Sequence, residues 1–173
     1  MNTPANVLFL CTGNSARSIM VEALLNRLGE GRFRAFSAGS FPKGTVRPEA
    51  LALLQAHGLP TEGLRSKAWD EFACPCAPAL DFVFTLCDQA ASEPCPAWPG
   101  QPITAHRGVP DPAAVDGSEA IVRLAFRDVF LTLEGRIKLF TALPLAQLAR
   151  VAIQRKVDEI GRIRPDSVIG VAS

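Results

Sequence analysis

The stretch Cys11-Thr12-Gly13-Asn14-Ser15-Ala16-Arg17-Ser18 constrains this chain more than any other. The apolar run Val7-Leu8-Phe9-Leu10 leads into it, and the amphipathic stretch Ile19 to Leu28 leads out. A short buried strand, a polar loop and a helix make an anion site, because loop amides and the helix N-terminus converge on one point. Cys11 at the strand end is expected to aim its sulfur into that bowl. Arg17, across five intervening residues, is expected to close over the rim with paired hydrogen bonds to a tetrahedral oxyanion. A helix N-terminus and a neighbouring cation favour the thiolate, and a thiolate beside an oxyanion cradle is a nucleophile aimed at the bound anion. The plainer alternative is a buried cysteine acting as a small hydrophobe with Arg17 solvated. The strand–loop–helix context argues against it.

The rest of the chain alternates strand and helix patterns. Asn6 to Leu10 reads as a first strand, and Met20, Leu24 and Leu28 repeat every four residues on one face of the first helix. Arg32 to Ala38 reads as a second strand ending at Gly39, and Pro48 starts a second helix through about His57. Ser66 to Phe72 reads as a short helical piece, Leu80 to Leu86 as a third strand, and Ile103 to Ala105 as a fourth. Between the last two, Cys87 to Pro102 reads as a Pro- and Gly-rich loop. Ser118 is placed to cap a long helix to about Leu143, with Val122, Phe126, Val129, Phe130, Leu133, Ile137 and Phe140 as its apolar stripe. Pro144 interrupts it, Leu145 to Ile160 reads as a further helix, and Arg162 to Ser173 as a loose tail. The pattern predicts an α/β fold, a doubly wound four-stranded parallel sheet flanked by helices. Residues 1–143 are read as the catalytic domain, and 144–173 as a C-terminal helical extension and tail. In such sheets ligands bind beyond the strand C-termini, where Cys11, Cys87 and Asp111 should share one edge.

Two further stretches carry chemistry. In His106-Arg107-Gly108-Val109-Pro110-Asp111-Pro112-Ala113 a carboxyl sits between two prolines that fix φ. Held over the bowl, Asp111 would protonate a leaving oxygen as Cys11 attacks; the spacing fits an ordinary turn aspartate equally well. His106 is placed to tune the acid or to serve structure, and Arg107 to add positive potential or to be solvated. In Cys87-Asp88-Gln89-Ala90-Ala91-Ser92-Glu93-Pro94-Cys95 two thiols bracket seven residues, enough slack for the sulfurs to meet. A thiol relay needs such a pair; two unrelated cysteines are the alternative. Cys74, Cys76, Cys87 and Cys95 lack the C-x2-C pairing of structural zinc sites. Cys74-Pro75-Cys76 reads as extra surface thiols, with a redox or metal pair as the other possibility.

Over roughly Val7 to Phe140 these motifs resemble the low-molecular-weight tyrosine phosphatase superfamily, and within it the thioredoxin-coupled arsenate reductases. The resemblance implies that arsenate binds in the loop Thr12, Gly13, Asn14, Ser15, Ala16, Arg17 and Ser18, with Arg17 clamping it and Ser18 steadying the Cys11 thiolate. It implies Asp111 as acid, then a relay in which Cys87 attacks the Cys11–arsenic adduct and Cys95 attacks Cys87. Thioredoxin, glutaredoxin or a low-molecular-weight thiol then reduces the Cys87–Cys95 pair, so the loop from Asp88 to Pro94 must rearrange. Some members bind potassium behind the loop, and Asn14, Glu22, Ser37 and Asp70 fall at the matching positions, all oxygen donors suited to a hard cation. Three departures count against an aryl-phosphate substrate: Ala113 stands where the phosphatases carry an aromatic residue, Ile19 where they carry proline, and the chain has no tyrosine. A phosphatase acting on phosphate esters remains the alternative, and a non-catalytic anion-binding regulator a further one.

Composition narrows the class. A net charge of +1 argues against a nucleic-acid or anionic-membrane surface. No apolar run approaches the roughly 20 residues that span a bilayer, and no secretory signal is visible. Five cysteines, an odd number, suit redox or catalytic thiols better than a disulfide framework. No dinucleotide fingerprint is present. The expectation is a cytoplasmic, monomeric enzyme with no tightly bound cofactor.

Overall fold

Alternation along the first strand sets the layers. In β1 (Ala5–Cys11), Val7 and Phe9 face one side of the sheet and Leu8 and Leu10 the other, all buried, as a central parallel strand requires. The fold, a computed structural model, describes residues 3–163, so residues 164–173 of the expected tail lie outside it. Chain order continues α1 (Arg17–Leu28), β2 (Phe33–Gly39), α2 (Pro48–Ala56), α3 (Asp70–Ala73), β3 (Phe82–Thr85), α4 (Asp88–Ser92), β4 (Ile103–His106), α5 (Glu119–Thr141) and α6 (Arg150–Arg162).

The sheet order is β2-β1-β3-β4, all parallel. The chain moves outward from β1 to β2, then crosses back to β3 and on to β4. The connections therefore diverge between β1 and β3, and the crevice at such a switch point is where ligands bind. Leu10 pairs with Thr85, and Thr85 with His106, so all three strands end level.

On the Val7–Phe9 side lie α1, α2, α5 and α6. Phe126, Phe130 and Leu133 of α5 are fully buried there, and Phe140 meets Phe82 and Phe84 edge to face. The other side is smaller: Leu8, Leu10, Ala38, Phe72, Leu80 and Val83, closed by Phe36 and by Trp69 against Trp98. Ser118 caps α5 as expected, its hydroxyl accepting from Ile121 N–H at 3.3 Å.

Three boundaries differ from the sequence reading. The segment expected as loop after Cys87 opens with the short helix α4, because the Cys87 sulfur accepts the Ala90 N–H at 3.4 Å and starts a turn. Leu145–Gln147 is a single 3-10 turn, and α6 begins only at Arg150. Helical structure in 66–72 is confined to α3, because Gly39 bonds both Lys67 and Trp69 across an isolated bridge and draws 67–69 out extended. The C-terminal α6 lies against β4. Gln154 Nε2 donates to Thr104 O at 3.2 Å and Arg150 to Gln101 O at 2.7 Å. At the opposite margin, Asn26 of α1 pairs with both backbone groups of Ala35, at 2.9 and 3.1 Å. Among the described residues no helix is long and apolar enough to cross a membrane.

Candidate active site

The loop from Cys11 to Ser18 turns sharply because Asn14 adopts φ 43°, and its side chain makes that turn worthwhile. Asn14 Nδ2 donates to Ser18 Oγ at 2.8 Å, and Asn14 Oδ1 accepts the Lys67 N–H at 2.8 Å. Ser18 Oγ, which accepts from Asn14, lies in hydrogen-bond contact with Cys11 Sγ at 2.9 Å. The Asn14 N–H donates to that sulfur at 3.2 Å.

The loop carbonyls are held from outside. Thr12 O accepts from Phe41 N–H, Gly13 O from Lys43 N–H and from the Ser66 hydroxyl, and Ser15 O from Arg47 N–H, all at 2.9–3.2 Å. With carbonyls turned outward, loop amides are left to face the bowl. The first turn of α1 adds more, since Ala16 supplies no side-chain cap and the turn carries no acidic residue. Gly39 is what lets this loop lie on β2. A Cβ there would stand 2.4 Å from Thr12 O and 3.0 Å from the Asn14 Cβ.

Arg17, at the start of α1, spans to the acid loop. Its Nη1 donates to Val109 O at 3.1 Å and its Nη2 lies 3.3 Å from Asp111 Oδ2. Asp111 is the more open of the two, 40% exposed against 11% for Arg17. Its other oxygen accepts the Ala113 N–H at 3.0 Å, starting the 3-10 turn Pro112–Ala114. The carboxyl is therefore aimed by its own loop and by Arg17 together.

Cys87 is buried and joins the same crevice. Its sulfur is 3.4 Å from Thr12 Oγ1 on the oxyanion loop. Backbone bonds fix this: Leu86 N–H to Leu10 O at 2.8 Å, and Val109 N–H to Leu86 O at 3.1 Å, so the loops after β1, β3 and β4 are tied in a row. His106 Nε2 lies 2.8 Å from Asp88 Oδ1, with Thr85 Oγ1 2.9 Å from its Nδ1; it anchors α4 rather than facing Asp111. Cys95 stands apart, exposed and three residues past the end of α4. What burial it has, and then the Glu93 carboxylate, push its thiol above the ordinary range.

The candidate cation set does not converge. Ser37 donates to Glu22 Oε2, but the other partner of that carboxylate is the Lys67 ammonium at 3.7 Å, while Asp70 is exposed. Burial raises Glu22 and lowers Lys67, each opposed by the partner's charge. With a buried ammonium already on Glu22 the donors do not fit a potassium ion, and no step of the chemistry is routed through one. Nor does Arg107 add potential at the bowl. It turns to Asp158 at 3.2 Å, and burial lowers it. Two residues escaped the sequence reading. Lys67 is one; Arg136 is the other, its Nη1 donating to Arg107 O at 3.1 Å and Gly108 O at 3.2 Å and so holding the acid loop from behind.

Residues 6–155 match the family of low molecular weight phosphotyrosine protein phosphatases. The chain is 34% identical over 134 residues to an arsenate reductase of Halalkalibacterium halodurans, covering 78% of this chain and 93% of that one. It is 31% identical over 132 residues to a glutaredoxin arsenate reductase of Synechocystis, covering 76% and 89%. Among solved structures, the arsenate reductase of Archaeoglobus fulgidus superposes with a TM-score of 0.62 at 27% identity, covering 79% of this chain and 99% of that chain. The fold is shared with these proteins, the buried thiol, guanidinium and carboxyl stand together at one edge of it, and the chain belongs to the low molecular weight phosphotyrosine protein phosphatase family.

Proposed function

We propose that this protein reduces arsenate to arsenite with its own thiols. Arsenate sits in the bowl of loop amides, with Arg17 across its oxygens. Cys11 Sγ attacks arsenic while Asp111 gives a proton to the departing hydroxyl, which leaves as water. Cys87 Sγ then attacks Cys11 Sγ. The sulfur–sulfur bond forms, the sulfur–arsenic pair stays on arsenic, and arsenite leaves two electrons richer. Attack of Cys95 on Cys87 frees Cys11 and moves the disulfide to Cys87–Cys95, which an external dithiol reduces.

The observation that carries this reading is the Thr12–Cys87 contact, which seats a second buried thiol on the oxyanion loop itself. Ester hydrolysis has no use for it. The names of the relatives agree, and one of them, being a glutaredoxin arsenate reductase, makes glutaredoxin as well as thioredoxin a candidate electron donor. A disulfide needs Cα atoms within about 7 Å, and Cys95, exposed past the end of α4, is brought to Cys87 by rearrangement of residues 88–94. A five-residue helix is marginal enough to allow it.

The test is arsenate-dependent NADPH consumption with thioredoxin and thioredoxin reductase, repeated with glutaredoxin and glutathione. One pair is expected to sustain turnover, and Cys87→Ser to abolish it while sparing any phosphate-ester hydrolysis. Turnover retained in Cys87→Ser would refute the relay. Ester hydrolysis with no arsenate turnover under either donor would make the protein a phosphatase.

A further inference from the structure

The relay leaves two thiols unused, and they are not independent. Cys74-Pro75-Cys76-Ala77 is a β-turn closed by Ala77 N–H to Cys74 O at 3.0 Å. Proline at its second position presets φ, and the residue before proline is driven out of the helical region. Cys74 accordingly leaves α3 at φ −75°, ψ 155°. Both sulfurs project from one side of this rigid turn, 2.7 Å apart, with Cys74 half-buried and Cys76 exposed. Both are free thiols, not a disulfide, and the turn holds them together.

We infer that Cys74 and Cys76 form a two-thiol chelating site for trivalent arsenic, separate from the oxyanion bowl. The choice of arsenic rests on the proposed reductase activity, whose product is a soft, thiophilic oxyacid; the chelate itself rests on the turn. Thiolate pairs take soft centres. Binding needs no oxidant. Each thiol gives its proton to one hydroxyl of arsenous acid, two As–O bonds break as two As–S bonds form, two waters leave, and arsenic stays trivalent. Their closeness prepares the pair, since the hydrogen bond between them lowers the Cys74 thiol and raises Cys76. Pro75 holds both thiols on one turn before the ligand arrives, which removes part of the ordering cost, and the sulfurs have only to part slightly to span one arsenic. Nothing else is asked of these residues: they lie on a surface turn beyond α3 and line no part of the crevice between β1 and β3.

The test uses the full chain with Cys11→Ser, Cys87→Ser and Cys95→Ser, which leaves Cys74 and Cys76 as its only cysteines. The probe is arsenite under a phosphine reductant. One arsenic per chain is expected after gel filtration, with both thiols lost to a thiol reagent. Adding Cys76→Ser is expected to weaken binding about 100-fold, since a second tethered ligand is worth that much in effective concentration. Failure of arsenite to bind, an affinity unchanged by Cys76→Ser, or tighter binding of zinc than of arsenite would each overturn the assignment. Arsenate turnover is measured separately on the unsubstituted chain. Its absence with arsenite still bound at the turn sinks the reductase reading alone, and its presence without such binding sinks this one alone.

Discussion

Lys67→Met removes the ammonium from Glu22 and leaves the backbone N–H of residue 67 on Asn14. Both side chains are secluded, 6% exposed for Lys67 and 12% for Glu22, so water cannot take over. Stripping one partner from a buried pair costs about 3–5 kcal/mol. Here the loss has a ceiling, because Glu22 can take a proton. At pH 7, protonating a carboxyl of ordinary value 4.5 costs about 3.4 kcal/mol, being 2.5 pH units at about 1.36 each. At pH 5.5 the same proton costs only about 1.4 kcal/mol. The sign follows from burial. A raised carboxyl contributes stability below its unfolded value, and that contribution is lost as pH rises through the folded value. Lys67 opposes the rise, so its removal steepens the loss toward neutral pH. Lys67 itself is lowered, so its contribution is present above its unfolded value and disappears as pH falls. Urea unfolding under reducing conditions should give a gap between parent and Lys67→Met of about 3 kcal/mol at pH 7 and about 1 kcal/mol at pH 5.5. Adding Glu22→Gln should remove the pH dependence of that gap. A gap under about 1 kcal/mol at pH 7, or one equal at both pH values, would refute the buried-pair argument.

Other perturbations probe the remaining joints. Gly39→Ala pushes a methyl into Thr12 O and the Asn14 side chain; it should displace the loop and abolish oxyanion binding, and unchanged phosphate affinity by calorimetry would contradict this. Asp111→Asn should slow arsenate turnover by about 10²–10⁴ with oxyanion binding retained, whereas a slowing of less than threefold would remove Asp111 from the chemistry. Arg136→Met releases the carbonyls of Arg107 and Gly108; steady-state kinetics should show kcat falling more than KM rises, and a pure KM effect would argue against its aiming the acid loop.

What could be read from the sequence was local. Cys11 to Ser18 announces itself because strand, loop and helix start are contiguous, whereas Asp111 between its two prolines was equally readable as a turn residue until the family resemblance named it the acid. The shared edge of Cys11, Cys87 and Asp111 followed from the alternation of strands and helices, since all three come after strands of one parallel sheet. Lys67 was illegible because its meaning lies 45 residues away at Glu22; in Arg65-Ser66-Lys67 it looks like any solvated basic residue. Arg136 hid among the apolar repeats of α5 for the same reason, its acceptors being backbone carbonyls 28 and 29 residues earlier. Arg107 was readable as a charge but not as a direction, since the Asp158 that claims it belongs to α6. Helix α4 depends on a thiol acting as a cap, a role sequence patterns assign to Ser, Thr, Asp and Asn.

Gln154 and Arg150 on β4, and Asn26 on β2, have a consequence for solubility. A four-stranded open sheet has two outer strands whose unpaired backbone groups invite another chain to add on. Helix-borne side chains occupy part of each: Asn26 pairs with both backbone groups of Ala35, while Gln154 takes the Thr104 carbonyl and Arg150 the Gln101 carbonyl just before β4. The two flanks are unequally held. Asn26 sits in α1, which leads directly into β2, whereas Gln154 and Arg150 ride on α6. Shortening the chain before Arg150 would leave the oxyanion loop intact yet bare the flank of β4, so such a protein should keep its anion affinity while assembling through strand addition as its concentration rises.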